Sequence, residues 1–219
     1  MRPLTDELPK PLLTVKKKSL LVWHLEAFSA AGLKEVVINH AWLGKKIEDA
    51  LGDGSQLGIH ITYSPEASAL ETAGGIRKAL PLLGPSDYFL VINGDVFAPH
   101  LPIEQLLDQA SNLRTLKNKP LAHLLMVPNP AQHAEGDFYL KDSQVSSESL
   151  DGGEKLTFSG IGLYHRDLFK DLELDVPAKL APLLREAMAE NRVSGEKYTG
   201  PWHDVGTPQR LQELNAAHE

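Results

Sequence analysis

Apolar residues recur along this chain at two spacings, one that predicts helices and one that predicts buried strands. Between residues 19 and 31 they follow helical spacing, with Ser19 suited to begin the helix and Gly32 to end it. Further helices are predicted at about 41–51, 72–80, 102–110, 180–190 and from Pro208 onward. Strands are predicted at 35–39, 59–63, 89–92 and 121–127, with shorter candidates at 137–140 and 156–164.

The order of these elements predicts the fold class. Strands and helices alternate as far as residue 127, which is typical of an α/β domain with a doubly wound, mainly parallel sheet. Residues 128–157 are rich in Pro, Gly, Ser and Asp, and they predict a lid or second lobe over the carboxyl edge of the sheet. The first 15 residues contain three prolines, so we expect a stiff loop without a regular helix there. A length of 219 residues suits a single domain.

The apolar run at 89–92 breaks abruptly into Asn93-Gly94-Asp95. A continuous apolar strand without polar alternation is typical of a strand that is covered on both faces. Ligands of parallel α/β sheets bind at the carboxyl ends of strands, so Asp95 is placed for chemistry. Asn, Gly and Asp also favour turns, and on this motif alone a simple turn explains the sequence equally well.

Two other stretches are candidates for contacts with a phosphate or a nucleotide. Lys10 lies between two prolines that restrict its backbone, which would hold its side chain at a fixed phosphate; an ordinary exposed lysine is the alternative. Gly74 and Gly75 fall in the first turn of the predicted helix 72–80, where glycine lowers helix stability. They indicate either a ligand that approaches the start of the helix or close packing of the helix on the sheet.

Asp204 is a second carboxylate of interest, shortly before the last predicted helix. Two Asp side chains at strand ends could hold one Mg²⁺ through oxygen ligands, whereas the alternative is an Asp that only shapes a turn. Small residues at 136–138 and 158–162 mark places where a ligand could approach the backbone.

Composition narrows the classes of function. The formal net charge of −7 disfavours a general binder of nucleic acid or of membrane surfaces. Cysteine is absent, which excludes disulfides, thiolate zinc sites and a Cys nucleophile, and agrees with a cytoplasmic protein. Apolar runs all fall short of the roughly 20 residues that a membrane-spanning helix needs. We therefore expect a soluble, cytoplasmic protein that binds neither nucleic acid nor membranes.

Four ordered motifs make the chain resemble the sugar-nucleotidyltransferases, which join a nucleoside triphosphate to a sugar 1-phosphate. They are Arg2-Pro3-Leu4-Thr5 with Pro9-Lys10-Pro11-Leu12, Glu71-Thr72-Ala73-Gly74-Gly75, Asn93-Gly94-Asp95, and Trp202-His203-Asp204-Val205-Gly206-Thr207. The resemblance covers nearly the whole chain. Within the family, residues 38–44 and the short length are most similar to the N-acetylmuramic acid 1-phosphate uridylyltransferases of cell-wall recycling.

The resemblance implies a mechanism and roles for individual residues. A sugar phosphate oxygen attacks the α-phosphorus of the triphosphate in line, and pyrophosphate leaves. Mg²⁺ would be bound by Asp95 and Asp204, and phosphate by Lys10 and Arg2. Nucleotide contacts are implied for Glu71, Thr72, Gly74 and Gly75, and sugar contacts for Asn93, Gly136, Asp137, Ser159 and Gly160. Residues 1–127 would form the nucleotide-binding part of a single domain, and 128–219 its sugar-binding part and lid.

The sequence departs from the family pattern at its amino end. Family members have a hydrophobic strand, a Gly-rich turn and an Arg directly before the position that Met1 occupies here. That strand would be central to the sheet, and that turn would bind the triphosphate. Either the true start lies upstream and Met1 is an internal methionine, or the protein is N-terminally truncated and impaired. The upstream start is favoured because the downstream motifs all survive.

Several alternatives remain open from the sequence. The expected substrates are UTP and N-acetylmuramic acid 1-phosphate, but a mannose or other hexose 1-phosphate enzyme that uses GTP or another triphosphate would show the same motifs. A non-catalytic nucleotide-sugar binding protein is a second class, although retention of Lys10, Asp95 and Asp204 argues against it. A fragment unable to fold is the third, because losing a central strand leaves unpaired edges and a split core.

Overall fold

The computed structural model describes residues 1–216, and within that range no helix has both the length and the apolar character needed to cross a membrane. The α-helices are α1 Leu4–Glu7, α2 Leu20–Ala30, α3 Gly44–Leu51, α4 Glu71–Ala79, α5 Ile103–Thr115, α6 Leu180–Ala189 and α7 Pro208–Ala216. The strands are β1 Thr14–Val15, β2 Lys18–Ser19, β3 Glu35–His40, β4 His60–Pro65, β5 Tyr88–Ile92, β6 Val96–Phe97, β7 Ala122–Val127, β8 Phe138–Lys141, β9 Gln144–Ser146, β10 Glu154–His165, β11 Val193–Lys197 and β12 His203–Asp204.

The main sheet has six strands in the order β5-β10-β7-β11-β9-β8, and β8 also pairs with β10. Strands β5 and β7 both run antiparallel to β10, so they are parallel to each other, and β11 is parallel to β7. Strands β3 and β4 form a separate parallel pair. The α/β class with a mixed sheet is therefore confirmed.

Helices cover both faces of the main sheet. Leu124 and Met126 of β7 pack with α4 and α6, whereas Leu125, which points the other way, packs with α5. As a result, every residue of β7 is buried. This two-sided burial explains the continuous apolar sequence of β7.

The residues that begin and end helices α2 and α7 include the caps that the sequence predicts. The Val22 N–H donates to Ser19 Oγ at 3.3 Å at the start of α2, and Gly32 follows that helix with a φ of +80°. At the start of α7, the Arg210 N–H donates to Thr207 Oγ1 at 3.2 Å. These two caps fix the ends of helices that flank the candidate site.

Two expectations need correction. The candidate strand 156–164 is part of the 12-residue β10, which lies inside the main sheet rather than in a lid. Its mixture of Gly, Ser and apolar residues concealed a strand that is buried over most of its length. The proline-rich start does contain one helical turn, α1, because Pro3 occupies its N-cap, where no backbone donor is needed.

Candidate functional site

Two short strands bring two carboxylates together. Strands β6 and β12 pair antiparallel, with Asp204 directly opposite Val96, the neighbour of Asp95. The Val205 N–H donates to the Asp95 carbonyl oxygen at 3.0 Å. Asp95 and Asp204, which are far apart in sequence, consequently line the same cavity of about 230 Å³.

Each carboxylate has a cationic partner. Lys10 Nζ lies 2.6 Å from Asp95 Oδ2, and Arg210 Nη1 lies 2.9 Å from Asp204 Oδ2. The Lys10 and Asp95 side chains are 28% and 35% exposed, so this pair is accessible to a ligand. Lys10 begins a short 3₁₀ turn, so its backbone is ordered as the flanking prolines predict.

The donor set at this cavity consists of hard oxygens. Within residues 1–216, no group of three or more His, Cys, Asp or Glu side chains is arranged to hold a metal ion. Two carboxylates fit an ion such as Mg²⁺, which retains several waters and takes further ligands from substrate phosphates. They do not form the closed protein cage of a structural metal site.

An irregularity in β10 forms another wall of this cavity. The pairing of β10 with β7 shifts register between Phe158 and Gly162, and Gly160 has a φ of +77°. The Asn93 N–H donates to the Gly160 carbonyl at 2.9 Å. A Cβ atom at position 160 would lie 2.7 Å from Asn93 Nδ2, so glycine is required for this close approach. The predicted sugar contacts Asn93, Ser159 and Gly160 all line the cavity.

Asp137 is hydrogen-bonded to residues that line the cavity, but it is not among the lining residues itself. Its Oδ2 accepts a hydrogen bond from the Phe158 N–H at 2.8 Å, and its Oδ1 lies 3.0 Å from His133 Nε2. His133 itself lines the cavity. Gly136 has a φ of +61° and packs against the Asn129 side chain. Asp137 thus orients His133 and the backbone at Phe158, and its direct contact with a sugar stays a prediction.

Sequence analysis did not assign a role to several cavity residues, among them Gln132, His133 and Trp202. Trp202 Nε1 donates to the Ser159 carbonyl at 2.9 Å, which anchors the irregular part of β10. Trp202 lies in one of the four family motifs, and that motif was the sequence signal for a role of Trp202 at the site. For His133 and Asp137, the signal was their spacing of four residues, which can bring the two side chains into contact.

Three of the four predicted nucleotide contacts line a larger cavity of about 860 Å³. Glu71, Thr72 and Gly75 line it, and Asn93 lines both cavities. Glu71 begins α4 with a φ of +58°, a conformation that residues other than glycine seldom adopt. Asn93 therefore lies between the cavity at the start of α4 and the cavity that contains the carboxylate pair.

The two glycines of α4 differ in what surrounds them. The Gly74 N–H donates to the Ala178 carbonyl at 3.2 Å, and a Cβ there would lie 2.6 Å from the Val176 carbonyl. Close packing thus accounts for Gly74, but against the loop segment 176–178 rather than against the sheet. The Gly75 carbonyl accepts a hydrogen bond from Asn39 Nδ2 at 2.8 Å, and Gly75 also borders the larger cavity.

Arg2 lies apart from these residues. Its side chain is 86% exposed and pairs with Asp6 at 3.2 Å. It lines neither of the two cavities. The contacts in the structure therefore give its predicted phosphate role no support.

Burial lowers the pKa of two histidines next to the carboxylates, which favours their neutral forms. His24 is buried, and its Nε2 lies 2.8 Å from the Val96 carbonyl; burial lowers its pKa, although Val96 and the charge of Asp95 act in the opposite direction. Burial also lowers the pKa of His203, which stacks on the Phe97 ring. Neutral His24 can donate to Val96 and so fix the backbone beside Asp95.

The amino-acid sequence is similar to those of known sugar 1-phosphate nucleotidyltransferases. The chain is 53% identical over 221 residues to the N-acetylmuramate alpha-1-phosphate uridylyltransferase of Neisseria meningitidis serogroup B, a match that covers 99% of this chain and 92% of the relative. It is 30% identical to the protein of the same name from Caulobacter vibrioides, with 95% and 88% covered. A mannose-1-phosphate guanyltransferase of Hypocrea jecorina is 27% identical and matches 95% of this chain but 58% of its own length.

Solved structures show the same fold. A glucose-1-phosphate thymidylyltransferase structure from Bacillus anthracis superposes with a TM-score of 0.81 at 19% identity, covering 99% of this chain and 89% of the other. A UDP-glucose pyrophosphorylase superposes with a TM-score of 0.73 at 15% identity, covering 98% and 92%. The family model described as Nucleotidyl transferase matches residues 1–135, more than half of the sequence. The chain belongs to the nucleotidyl transferase family.

Proposed function

We propose that this protein transfers the uridylyl group of UTP to N-acetylmuramic acid 1-phosphate, with Mg²⁺ as its cofactor, and releases pyrophosphate. The observation that carries the proposal is the pairing of Asp95 and Asp204 in one cavity with Lys10 beside them. Two relatives that are at least 30% identical to this chain carry this activity in their names. We place the reaction in the cytoplasm, where UTP is available.

In the proposed reaction, a phosphate oxygen of the sugar 1-phosphate attacks the α-phosphorus of UTP. The new P–O bond forms as the bond from the α-phosphorus to the α–β bridging oxygen breaks, and pyrophosphate leaves with the electron pair. Asp95 and Asp204 would hold the Mg²⁺, which neutralises charge on the phosphate oxygens. The Lys10 ammonium would leave Asp95 and donate to a phosphate oxygen. No protein nucleophile is needed, because positioning and charge neutralisation supply the catalysis.

The smaller cavity suits the sugar phosphate, and the start of α4 suits the nucleotide. Asn93 and the irregular backbone at Ser159 and Gly160 offer amide and carbonyl groups to a sugar. His133, whose Nε2 lies 3.0 Å from Asp137 Oδ1, would offer its other ring nitrogen as a hydrogen-bond donor to a carboxylate. N-acetylmuramic acid carries a lactyl carboxylate that N-acetylglucosamine lacks, so His133 is the proposed contact for that group.

The test is pyrophosphate release by the purified protein with Mg²⁺. UTP, GTP and dTTP are each combined with the 1-phosphates of N-acetylmuramic acid, N-acetylglucosamine, mannose and glucose. The same measurements are made on this chain and on a form with additional amino-terminal residues. We expect the fastest release with UTP and N-acetylmuramic acid 1-phosphate in at least one of these forms.

Matched variants connect activity to the carboxylates. Asp95→Asn and Asp204→Asn remove one metal-binding charge each with little change in shape, and we expect each to lower kcat by at least about a hundredfold. Asp108→Asn, on the exposed side of α5, is the control that should keep full activity. Preference for GTP and mannose 1-phosphate would reassign the substrates. Folded but inactive protein with every pair would instead support a nucleotide-sugar binding protein.

A further inference from the structure

One exposed loop supplies a wall of the smaller cavity. Residues 130–135, called the 130–135 loop from here on, lie between β7 and β8 and contain a short 3₁₀ turn. Pro130, Gln132 and His133 of this loop line the cavity that contains the carboxylate pair. From residue 131 onward the loop is exposed, so burial of apolar side chains contributes little to its position. Its position therefore depends on hydrogen bonds.

Asn129 forms three hydrogen bonds at the base of this loop. Its Nδ2 donates to the Ala134 carbonyl at 3.2 Å and to the Lys155 carbonyl at 3.0 Å. Its Oδ1 accepts a hydrogen bond from Thr157 Oγ1 at 2.9 Å. Ala134 belongs to the loop, whereas Lys155 and Thr157 belong to β10. The Asn129 amide therefore ties the loop to the strand that supplies another wall of the cavity.

An amide suits these partners. Both N–H groups of Asn129 Nδ2 have carbonyl acceptors, and Oδ1 has a hydroxyl donor. A carboxylate at position 129 would turn an oxygen toward the same two carbonyl oxygens, which would repel it and receive no hydrogen bond. Gly136 leaves room for the amide, because a Cβ atom at position 136 would lie 2.6 Å from Asn129 Oδ1. The amide and the glycine together thus specify one conformation of the loop.

The hydrogen bonds of Asn129 act on the residues that reach the cavity. Ala134, which accepts one of them, directly follows His133. The His133 N–H donates to the Pro130 carbonyl at 2.8 Å, and the His133 carbonyl accepts from the Gly136 N–H at 3.1 Å. Asn129 itself lines neither of the two cavities. Its effect on a ligand would therefore pass through the loop.

We propose that Asn129 is a positioning residue for the sugar 1-phosphate, because its amide holds Gln132 and His133 at the cavity; this role rests on the function proposed above. Without these hydrogen bonds the exposed loop would adopt several conformations, and ordering it would reduce the free energy of sugar binding. The nucleotide, whose proposed contacts lie at the start of α4, would bind unchanged.

The test compares Asn129→Asp, which loses both donors at nearly constant size, with the matched control Asn215→Asp in α7. Asn215 Nδ2 also donates to two carbonyl groups, those of Thr14 at 3.0 Å and Leu211 at 2.9 Å. Its Oδ1 accepts from the Lys16 N–H at 2.8 Å. Asn215 lines neither cavity. Because both variants lose the same groups, their Tm values should fall by similar amounts.

Two measurements are made that do not require turnover. Calorimetry with Mg²⁺ and α,β-methylene UTP, which cannot release pyrophosphate, gives the Kd of the sugar 1-phosphate that the unaltered protein binds most tightly. Amide hydrogen exchange without ligand reports on the order of the 130–135 loop. Pyrophosphate release by the unaltered protein tests the proposed function separately. The pair Asn129→Ala and Asn215→Ala repeats the comparison without introducing a charge.

We expect Asn129→Asp to raise the Kd of the sugar 1-phosphate about tenfold, which corresponds to about 1.4 kcal/mol, and to speed exchange of the His133 amide. The Kd of the nucleotide analogue should stay unchanged, and Asn215→Asp should change neither Kd. The double variant Asn129→Asp with His133→Gln should bind the sugar 1-phosphate little more weakly than the weaker of its two single variants, since both changes act on one loop.

Several results would overturn the proposal. Equal Kd values for the sugar 1-phosphate in Asn129→Asp and Asn215→Asp would do so even with faster exchange, because the amide would then only support the fold. Fully additive losses in the double variant would show that Asn129 does not act through the loop that carries His133. An unaltered protein that binds no sugar 1-phosphate would contradict both proposals, whereas binding without turnover would contradict only the proposed function.

Discussion

Replacing Gly160 by alanine separates a local effect on the sugar site from a general loss of stability. The left-handed backbone, with a φ of +77°, is unfavourable for a residue with a Cβ atom by about 1–2 kcal/mol. For a chain of this size, that cost lowers the Tm by about 2–8 °C. The added Cβ would also lie 2.7 Å from Asn93 Nδ2, so the Asn93 side chain must move out of the position in which it lines the cavity. If Asn93 donates one hydrogen bond to the sugar phosphate, its displacement lowers kcat/KM about tenfold, or about 1.4 kcal/mol.

Gly152→Ala is the matched control for this variant. Gly152 has a φ of +72°, and the nearest atom to an added Cβ, Lys141 Nζ, is 3.9 Å away. The two variants should therefore lose similar stability in thermal unfolding. In the pyrophosphate assay, only Gly160→Ala should raise the KM for the sugar phosphate, while the KM for UTP stays unchanged in both. Equal kinetics for the two variants would refute the role of Asn93 at the sugar site.

Three further outcomes are expected. Lys10→Met removes the cation that competes with Mg²⁺ for Asp95. Calorimetry without nucleotide should therefore show tighter Mg²⁺ binding, while kcat falls. Weaker Mg²⁺ binding would contradict the claim that Lys10 and Mg²⁺ share the Asp95 carboxylate. Because the pKa of His24 is lower in the folded state, the unfolded state binds more protons, and stability in urea should fall as the pH drops below about 6.5. His24→Gln, which keeps a donor for Val96, should show a shallower fall, and an identical slope would refute this cause. His133→Gln should lower kcat/KM for N-acetylmuramic acid 1-phosphate but not for N-acetylglucosamine 1-phosphate, and equal losses would exclude a specific contact with the lactyl carboxylate.

Much of the fold is predictable because its elements carry local signals. The start of α2 is marked by Ser19, and the continuous apolar sequence of β7 reflects its coverage on both faces. Strand β11 carried no such signal, since its sequence of Val, Ser, Gly, Glu and Lys lacks both alternation and a continuous apolar run. Its position is set by parallel pairing with β7, a tertiary interaction that sequence spacing does not reveal.

The candidate site shows the same division between local and long-range information. Asp95 and Asp204 could each be selected from its motif, but their proximity depends on two strands of 2 residues each, β6 and β12. Lys10 was also selected, yet its contact with Asp95 joins positions 85 residues apart. Gly74 could not be interpreted from sequence alone, because both close packing and ligand binding favour glycine at such a position. Only its contacts with residues 176–178 identify packing as the reason. Local sequence thus identified candidate groups, and long-range pairing determined which of them meet.

The most direct test of the central claim follows oxygen atoms through the reaction. N-acetylmuramic acid 1-phosphate labelled with ¹⁸O in its phosphate is incubated with UTP and Mg²⁺, and the masses of the products are measured by mass spectrometry. Attack by the sugar phosphate on the α-phosphorus predicts that the UDP-sugar keeps all of the label and that pyrophosphate contains none, with both products formed at least about a hundredfold more slowly by Asp95→Asn. Label in pyrophosphate or orthophosphate, or product formation by Asp95→Asn at the unaltered rate, would contradict uridylyl transfer at this site.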